Sequence, residues 1–224
     1  MQPVEGILFE PVGCLAEFPA EPFDEIAVRV FGRKNKPSRS GSCAYWHWLT
    51  LVERSGTPLS DSQKRSVEAL EIDAVSQACL YEDVLPALGE LRSMGVHLSI
   101  ASSLSTAAVD RFLEAGRARG FFSAIWTRDN SGGIKTAPLG CAIHAASLCP
   151  ERVMFLADTA EGFKVAKRVG VNTILMMNDP DEARRLALEE PAGGIVSLYE
   201  LPDFLRLVTA QNAGRRGTAG PQLD

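Results

Sequence analysis

The chain has 224 residues, a formal net charge of −5 and a sequence pI of about 5.3. Its 46% hydrophobic and 23% charged residues match an ordinary globular make-up, long enough for one sizeable domain or one domain with an insertion. The acidic balance without a Lys/Arg face argues against nucleic acid as a partner, no apolar run approaches the roughly 20 residues of a membrane span, and the start lacks a signal-peptide pattern, so a cytoplasmic protein without a membrane partner is expected.

Short apolar runs alternate with helical patterns along most of the chain. The runs Gly6–Phe9, His97–Ala101, Ala124–Trp126, Val153–Leu156 and Thr173–Met176 are nearly continuous in apolar residues, as parallel strands covered on both faces are. Between them "YEDVLPALGELRSMG" places Val84, Leu85, Leu88 and Leu91 at helical spacing before a Gly95 stop. "STAAVDRFLEAG" offers Ser105 or Thr106 as a cap and Val109, Phe112 and Leu113 on one face. "APLGCAIHAASLC" and "AEGFKVAKRVG" read the same way. Strand–helix–strand repetition predicts an α/β fold, a doubly wound parallel sheet with ligands at the carboxyl ends of its strands.

Residues 16–80 break this rhythm. They contain no convincing strand and read as three or four helices inserted after the first strand, with a basic stretch "RKNKPSRSGS" and an aromatic one "CAYWHWLTLVER". The aromatic Tyr45, Trp46 and Trp48 read as packing within the insertion or as a substrate platform, and "RKNKPSRS" as a solvated loop or a phosphate-recruiting patch. The polar, Gly-rich stretch 209–224 reads as a disordered end. Five cysteines (Cys14, Cys43, Cys79, Cys141, Cys149) without CxxC spacing read as free thiols rather than a zinc site, and His47, His97 and His144 as structural.

Four chemically capable residues fall at carboxyl ends of predicted strands: Glu10 after the first, Ser102 after "HLSIA", Lys135 in "SGGIKTAP" and Asp158 after "VMFLA". In a doubly wound sheet these points converge on one crevice. A carboxylate that attacks phosphorus, a hydroxyl and an ammonium that hold phosphoryl oxygens, and a carboxylate that helps hold Mg²⁺ would together serve phosphoryl transfer.

The order of these elements resembles the haloacid dehalogenase (HAD) superfamily, in particular its phosphatase and phosphomutase-like members with a helical cap. "YEDVLPALGELRSMGVHLSIASSLS" resembles their helix and Ser/Thr motif, "KTAPLGCAIHAA" their lysine motif, "VMFLADTAEGFKVAKRVGVNTILM" their acidic motif, and "GGIVSLYEL" the end of the domain. The resemblance implies a HAD-like Rossmannoid core over 1–15 and 81–208 and a helical cap over 16–80. It implies Glu10 and Lys135 in the catalytic positions, Ser102, with Ser103 as an alternative register, and Lys135 at the phosphate, and Glu10, the Val12 carbonyl and Asp158 around Mg²⁺. The implied partner is a small phosphorylated molecule; nothing in the sequence fixes an oligomeric state.

The first motif departs from the family. Glu10 stands where members carry the nucleophilic Asp, Val12 where phosphatases carry the general acid, and Cys14 where a Thr is usual. General acid catalysis is worth about 10²–10⁴ in rate. A misplacement of the attacking oxygen by ~1 Å costs on the order of 10²-fold. These departures imply a phosphohydrolase-type site impaired in catalysis, a pseudoenzyme that binds phosphate, a ligand or a partner; the alternative is a divergent Mg²⁺-dependent hydrolase of a small phosphorylated metabolite. Plainer roles stand beside these: Glu10 as a strand-end carboxylate paired structurally with Lys135, and Ser102 and Asp158 as helix caps.

Overall fold

A computed structural model of the protein describes residues 4–32 and 37–216, with side chains described as far as residue 209. Eight strands are present among them: β1 Gly6–Phe9, β2 Ala16–Glu17, β3 Cys79–Leu80, β4 His97–Ala101, β5 Ala124–Trp126, β6 Val153–Ala157, β7 Asn172–Met176 and β8 Gly193–Ile195. The helices are α1 Pro11–Cys14, α2 Ala20–Phe31, α3 Gly41–Ser55, α4 Asp61–Gln77, α5 Val84–Ser93, α6 Thr106–Ala115, α7 Thr136–Ala146, α8 Ala160–Val169, α9 Pro180–Leu186 and α10 Leu201–Arg216.

Six strands form one sheet in the order β5-β4-β1-β6-β7-β8, and every neighbouring pair is parallel. The five predicted apolar runs are all strands; β1 and β6 at the centre are fully buried, while β5 at the edge is half-buried. β1 is central. Phe9 lies in register with Ile100 of β4 and Leu156 of β6, so the residues that follow all three strands meet at one end of the sheet. The chain order runs outward in both directions from β1, which opens the crevice that doubly wound sheets use for ligands.

The insertion holds three helices, α2, α3 and α4, which pack on one another and, through α4, on α6. Their ends follow from local chemistry. Ser40 Oγ caps α3 by accepting the Cys43 amide at 3.2 Å, and Gly56 closes it with a φ of 62°. Ser60 and Gln63 form a reciprocal capping box on α4.

The structure corrects two sequence expectations. Residues 16–80 are not free of strands: β2 and β3 pair antiparallel at the root of the insertion, Ala16 with Leu80 and Glu17 with Cys79. Two-residue strands are too short to show a hydrophobic period. The stretch expected to be disordered from 209 continues α10 to Arg216, and 217–224 lie outside the described residues. In the basic stretch, residues 33–36 also lie outside them; beyond these, Ser38 bonds Asp24 at 2.6 Å and Arg39 reaches Glu182 of α9 at 3.1 Å. Among the described residues no helix is long and apolar enough to cross a membrane.

One buried ion pair bolts the inserted helices to the sheet. Glu71 of α4 is fully buried and pairs with Arg128, which follows β5; its second oxygen accepts the Ser105 amide at 3.1 Å, at the start of α6. Arg128 also donates to the Ser103 carbonyl at 3.2 Å. Removing one partner of such a pair strands the other charge. Glu71→Ala is therefore expected to lower the unfolding free energy by about 3–5 kcal/mol in urea titration; a loss below about 1 kcal/mol would mean the pair does not hold the two parts together.

Candidate active site

Glu10 is the first residue after β1. Its backbone is extended (φ −89°, ψ 125°), as the following proline favours. Pro11, Val12 and Gly13 then turn the chain sharply. Gly13 has a φ of 81°, and a Cβ built on it would lie 2.1 Å from both Asp158 Oδ2 and Ser42 Oγ. Only glycine allows this turn to pass so close beneath Asp158. The turn is held further by Asn178, whose Nδ2 donates to the Gly13 carbonyl at 2.6 Å.

The Glu10 side chain is 3% exposed, and both of its oxygens are engaged. Ser102 Oγ donates to Oε1 at 2.5 Å, and Tyr45 Oη donates to Oε2 at 2.8 Å. Burial pushes the carboxyl up to about 8, with the Ser102 and Tyr45 hydrogen bonds and the Val12 and Ser103 backbone groups offsetting part of the shift. At neutral pH Glu10 is thus largely protonated. A neutral carboxylic acid is a poor nucleophile.

Tyr45 belongs to α3. Its ring packs against Phe23, Trp46 and Trp48, as the packing reading of the aromatic stretch requires. Its hydroxyl does something that reading missed. Besides donating to Glu10, Tyr45 Oη accepts the Ser103 backbone amide at 2.8 Å and lies 3.4 Å from Ser102 Oγ. Burial, with Glu10 next, pushes the phenol well above its usual range, so it stays a proton donor. The signal for this was present: a buried tyrosine hydroxyl needs a partner.

Ser102 and Ser103 both reach the crevice. Ser102 accepts the Leu104 amide at 3.2 Å as well as donating to Glu10, and Ser103 Oγ accepts the Lys135 amide at 2.7 Å. Lys135 sits in a rare backbone conformation for a side-chain-bearing residue (φ 58°, ψ −99°). Such strain persists only where neighbours fix the residue.

The Lys135 ammonium, however, does not meet Glu10. It donates to Thr50 Oγ1 at 3.0 Å and Glu53 Oε2 at 2.8 Å, both on α3, and lies 3.6 Å from Glu161 Oε2. This overturns the expected Glu10–Lys135 ion pair. The hydrogen-bond partners of Lys135 lie on α3 of the insertion, and its ammonium holds the Glu53 carboxyl below its usual range. Asp158 follows β6, with Asn178 Nδ2 3.4 Å from its Oδ2. It lines a cavity of about 230 Å³ with Glu17, Arg39, Asp179 and Glu182. Burial pushes its carboxyl up to about 6, with Ser42 and Asn178 offsetting.

The crevice therefore gathers Glu10, Ser102, Ser103 and the Lys135 main chain, with Asp158 across the Gly13 turn, while the ammonium of Lys135 points into the inserted helices. Residues 52–176, more than half of the chain, match the family of haloacid dehalogenase-like hydrolases. The chain belongs to this family. A HAD-like hydrolase from Streptococcus pneumoniae superposes with a TM-score of 0.67 at 15% identity, over 91% of this chain and 99% of that one. CbbY from Rhodobacter sphaeroides, solved in complex with phosphate, gives 0.63 at 20% identity over 88% and 96%. L-2-haloacid dehalogenase from Xanthobacter autotrophicus gives 0.59 at 15% over 91% and 98%. At these identities the likeness carries the fold alone. No curated protein matches the chain.

HAD-superfamily members generally use Mg²⁺. The expected ligand set of Glu10, Val12 and Asp158 does not fit one as arranged. Both Glu10 oxygens are held by hydroxyl donors. Mg²⁺ is usually held by one or two carboxylates with an oxygen free to face it, the rest of its shell being water.

A folded-state pKa of about 8 against an ordinary 4.5 means that native Glu10 keeps a proton the unfolded chain releases in between. Its contribution to stability is full below pH 4.5 and lost as pH rises through 8. Glu10→Gln lacks this loss. In metal-free buffer its stability relative to wild type should rise by about 2 kcal/mol between pH 6 and pH 8; parallel profiles for the two proteins would mean that Glu10 is ionised in the fold.

Proposed function

We propose that the protein is a HAD-like hydrolase fold whose phosphohydrolase-type site is silenced, and that its residual capacity is to bind a small phosphorylated molecule without turning it over. The observation that carries this reading is the fate of the two groups chemistry would need together. The carboxyl of Glu10 is buried and held by two hydroxyls, and the ammonium of Lys135 is held by Glu53. Val12 supplies no proton for a leaving group. What survives is the set of oxygen-binding groups around Glu10: the Ser102 hydroxyl and the Ser103 amide.

The losses compound. A missing general acid costs about 10²–10⁴, and removal of a covalent nucleophile reaches ~10⁶. A Mg²⁺-dependent screen over phosphate esters should therefore give wild-type turnover at the buffer rate, unchanged by Glu10→Gln. Turnover that Glu10→Gln and Lys135→Ala both abolish would establish the divergent hydrolase instead.

A further inference from the structure

We propose that Tyr45 is a built-in occupant of an oxyanion site: its hydroxyl fills the place of one oxygen of a tetrahedral oxyanion, and a phosphate-class ligand enters only when the inserted helices carry that hydroxyl away. The proposal rests on the silenced-site reading above but concerns binding, not turnover.

The geometry is specific. The Tyr45 oxygen receives a backbone N–H from Ser103, stands 3.4 Å from the Ser102 hydroxyl and donates to the protonatable Glu10. A mono-protonated phosphate offers the same pattern: an oxygen that accepts from the Ser103 amide, and one P–OH that donates to a carboxyl. A buried amide and carboxyl left without a partner would be costly, so these groups are satisfied by the phenol or by an incoming anion. The two occupants exclude each other, because the phenol oxygen sits within hydrogen-bonding distance of every donor the anion would use.

The occupant comes on the insertion. Tyr45 lies on α3, and further polar contacts hold the inserted helices down, among them Glu71 with Arg128, Glu53 with Lys135 and Arg168, and Arg39 with Glu182. Two of these report on the same site. Arg128 also holds the carbonyl of Ser103, and Lys135 donates its amide to the Ser103 hydroxyl. Ser103 is thus the residue at which the latches and the occupant meet. Opening the latches exposes the Ser103 amide and frees the Lys135 ammonium from Glu53 at the same time, which adds a cation to the emptied site.

A binding-competent form present at a fraction f weakens the apparent affinity by that fraction. Loss of one or two hydrogen bonds worth about 1 kcal/mol each raises f by about 5–30-fold. Inorganic phosphate titrated by calorimetry into full-length protein should bind Tyr45→Phe at least 5-fold more tightly than wild type. Tyr45→Phe keeps the ring that packs on Phe23, Trp46 and Trp48. Tyr45→Ala, which also opens space, should bind more tightly still. The Ser103 amide proton, read by NMR, should exchange slowly in wild type and at least 10-fold faster in Tyr45→Phe without phosphate, then slow again when phosphate is added. Equal phosphate affinity in all three proteins, with an unchanged Ser103 exchange rate, would overturn the proposal. Turnover by wild type would overturn the silenced-site reading while leaving this result to be read on its own.

Discussion

The hydrogen bonds of one phenol oxygen decide how this molecule is put together at its centre. Tyr45 Oη links the end of β1, through Glu10, to the end of β4, through the Ser103 amide, and does so from a helix that belongs to the insertion. Sheet and inserted helices therefore share a single buried polar node. Each of its members is satisfied only while the others stay in place. The 3% exposure of Glu10, its raised pKa and the diversion of Lys135 all follow from that closure.

Two effects compete to explain why Glu10 differs from an aspartate at this position. The extra methylene moves the carboxyl outward by about 1.5 Å, a geometric change. Burial neutralises it, an electrostatic change. The second is the larger here. A shift from 4.5 to about 8 leaves only about a tenth of the groups ionised at pH 7, and the geometric displacement then acts on a group that is already a weak nucleophile. The added reach brings Glu10 to the tyrosine hydroxyl, whose hydrogen bond, with that of Ser102, offsets part of the shift that burial causes.

Most of the sheet was legible because its strands are short apolar runs with both faces covered. Ile7, Phe9, Ile100, Phe155 and Ile174 are all fully buried, and each came from such a run. β8 was not legible as a strand, since Gly193 and Gly194 carry no hydrophobic signal. Of the site, the strand-end residues Glu10, Ser102 and Asp158 could be read from position alone, because a parallel sheet sends every carboxyl end to the same side. The direction of Lys135 could not be read. It depends on where Thr50 and Glu53 come to rest once α3 docks, and docking of an insertion is a long-range outcome with no local pattern. Tyr45 was hidden for a related reason: in a run of tyrosine and tryptophans its ring explains its burial fully, and the single oxygen that matters leaves no trace in periodicity.

The measurement that bears most directly on the closed node is a crystal structure of the full chain grown with millimolar Mg²⁺ and fluoroberyllate, a mimic of a phosphoryl group. The account predicts Tyr45 Oη within hydrogen-bonding distance of both Glu10 and the Ser103 amide, Lys135 on Glu53, and no beryllium on the Glu10 carboxyl. A fluoroberyllate adduct on Glu10 with Mg²⁺ beside Asp158, and Tyr45 swung out of the crevice, would contradict it.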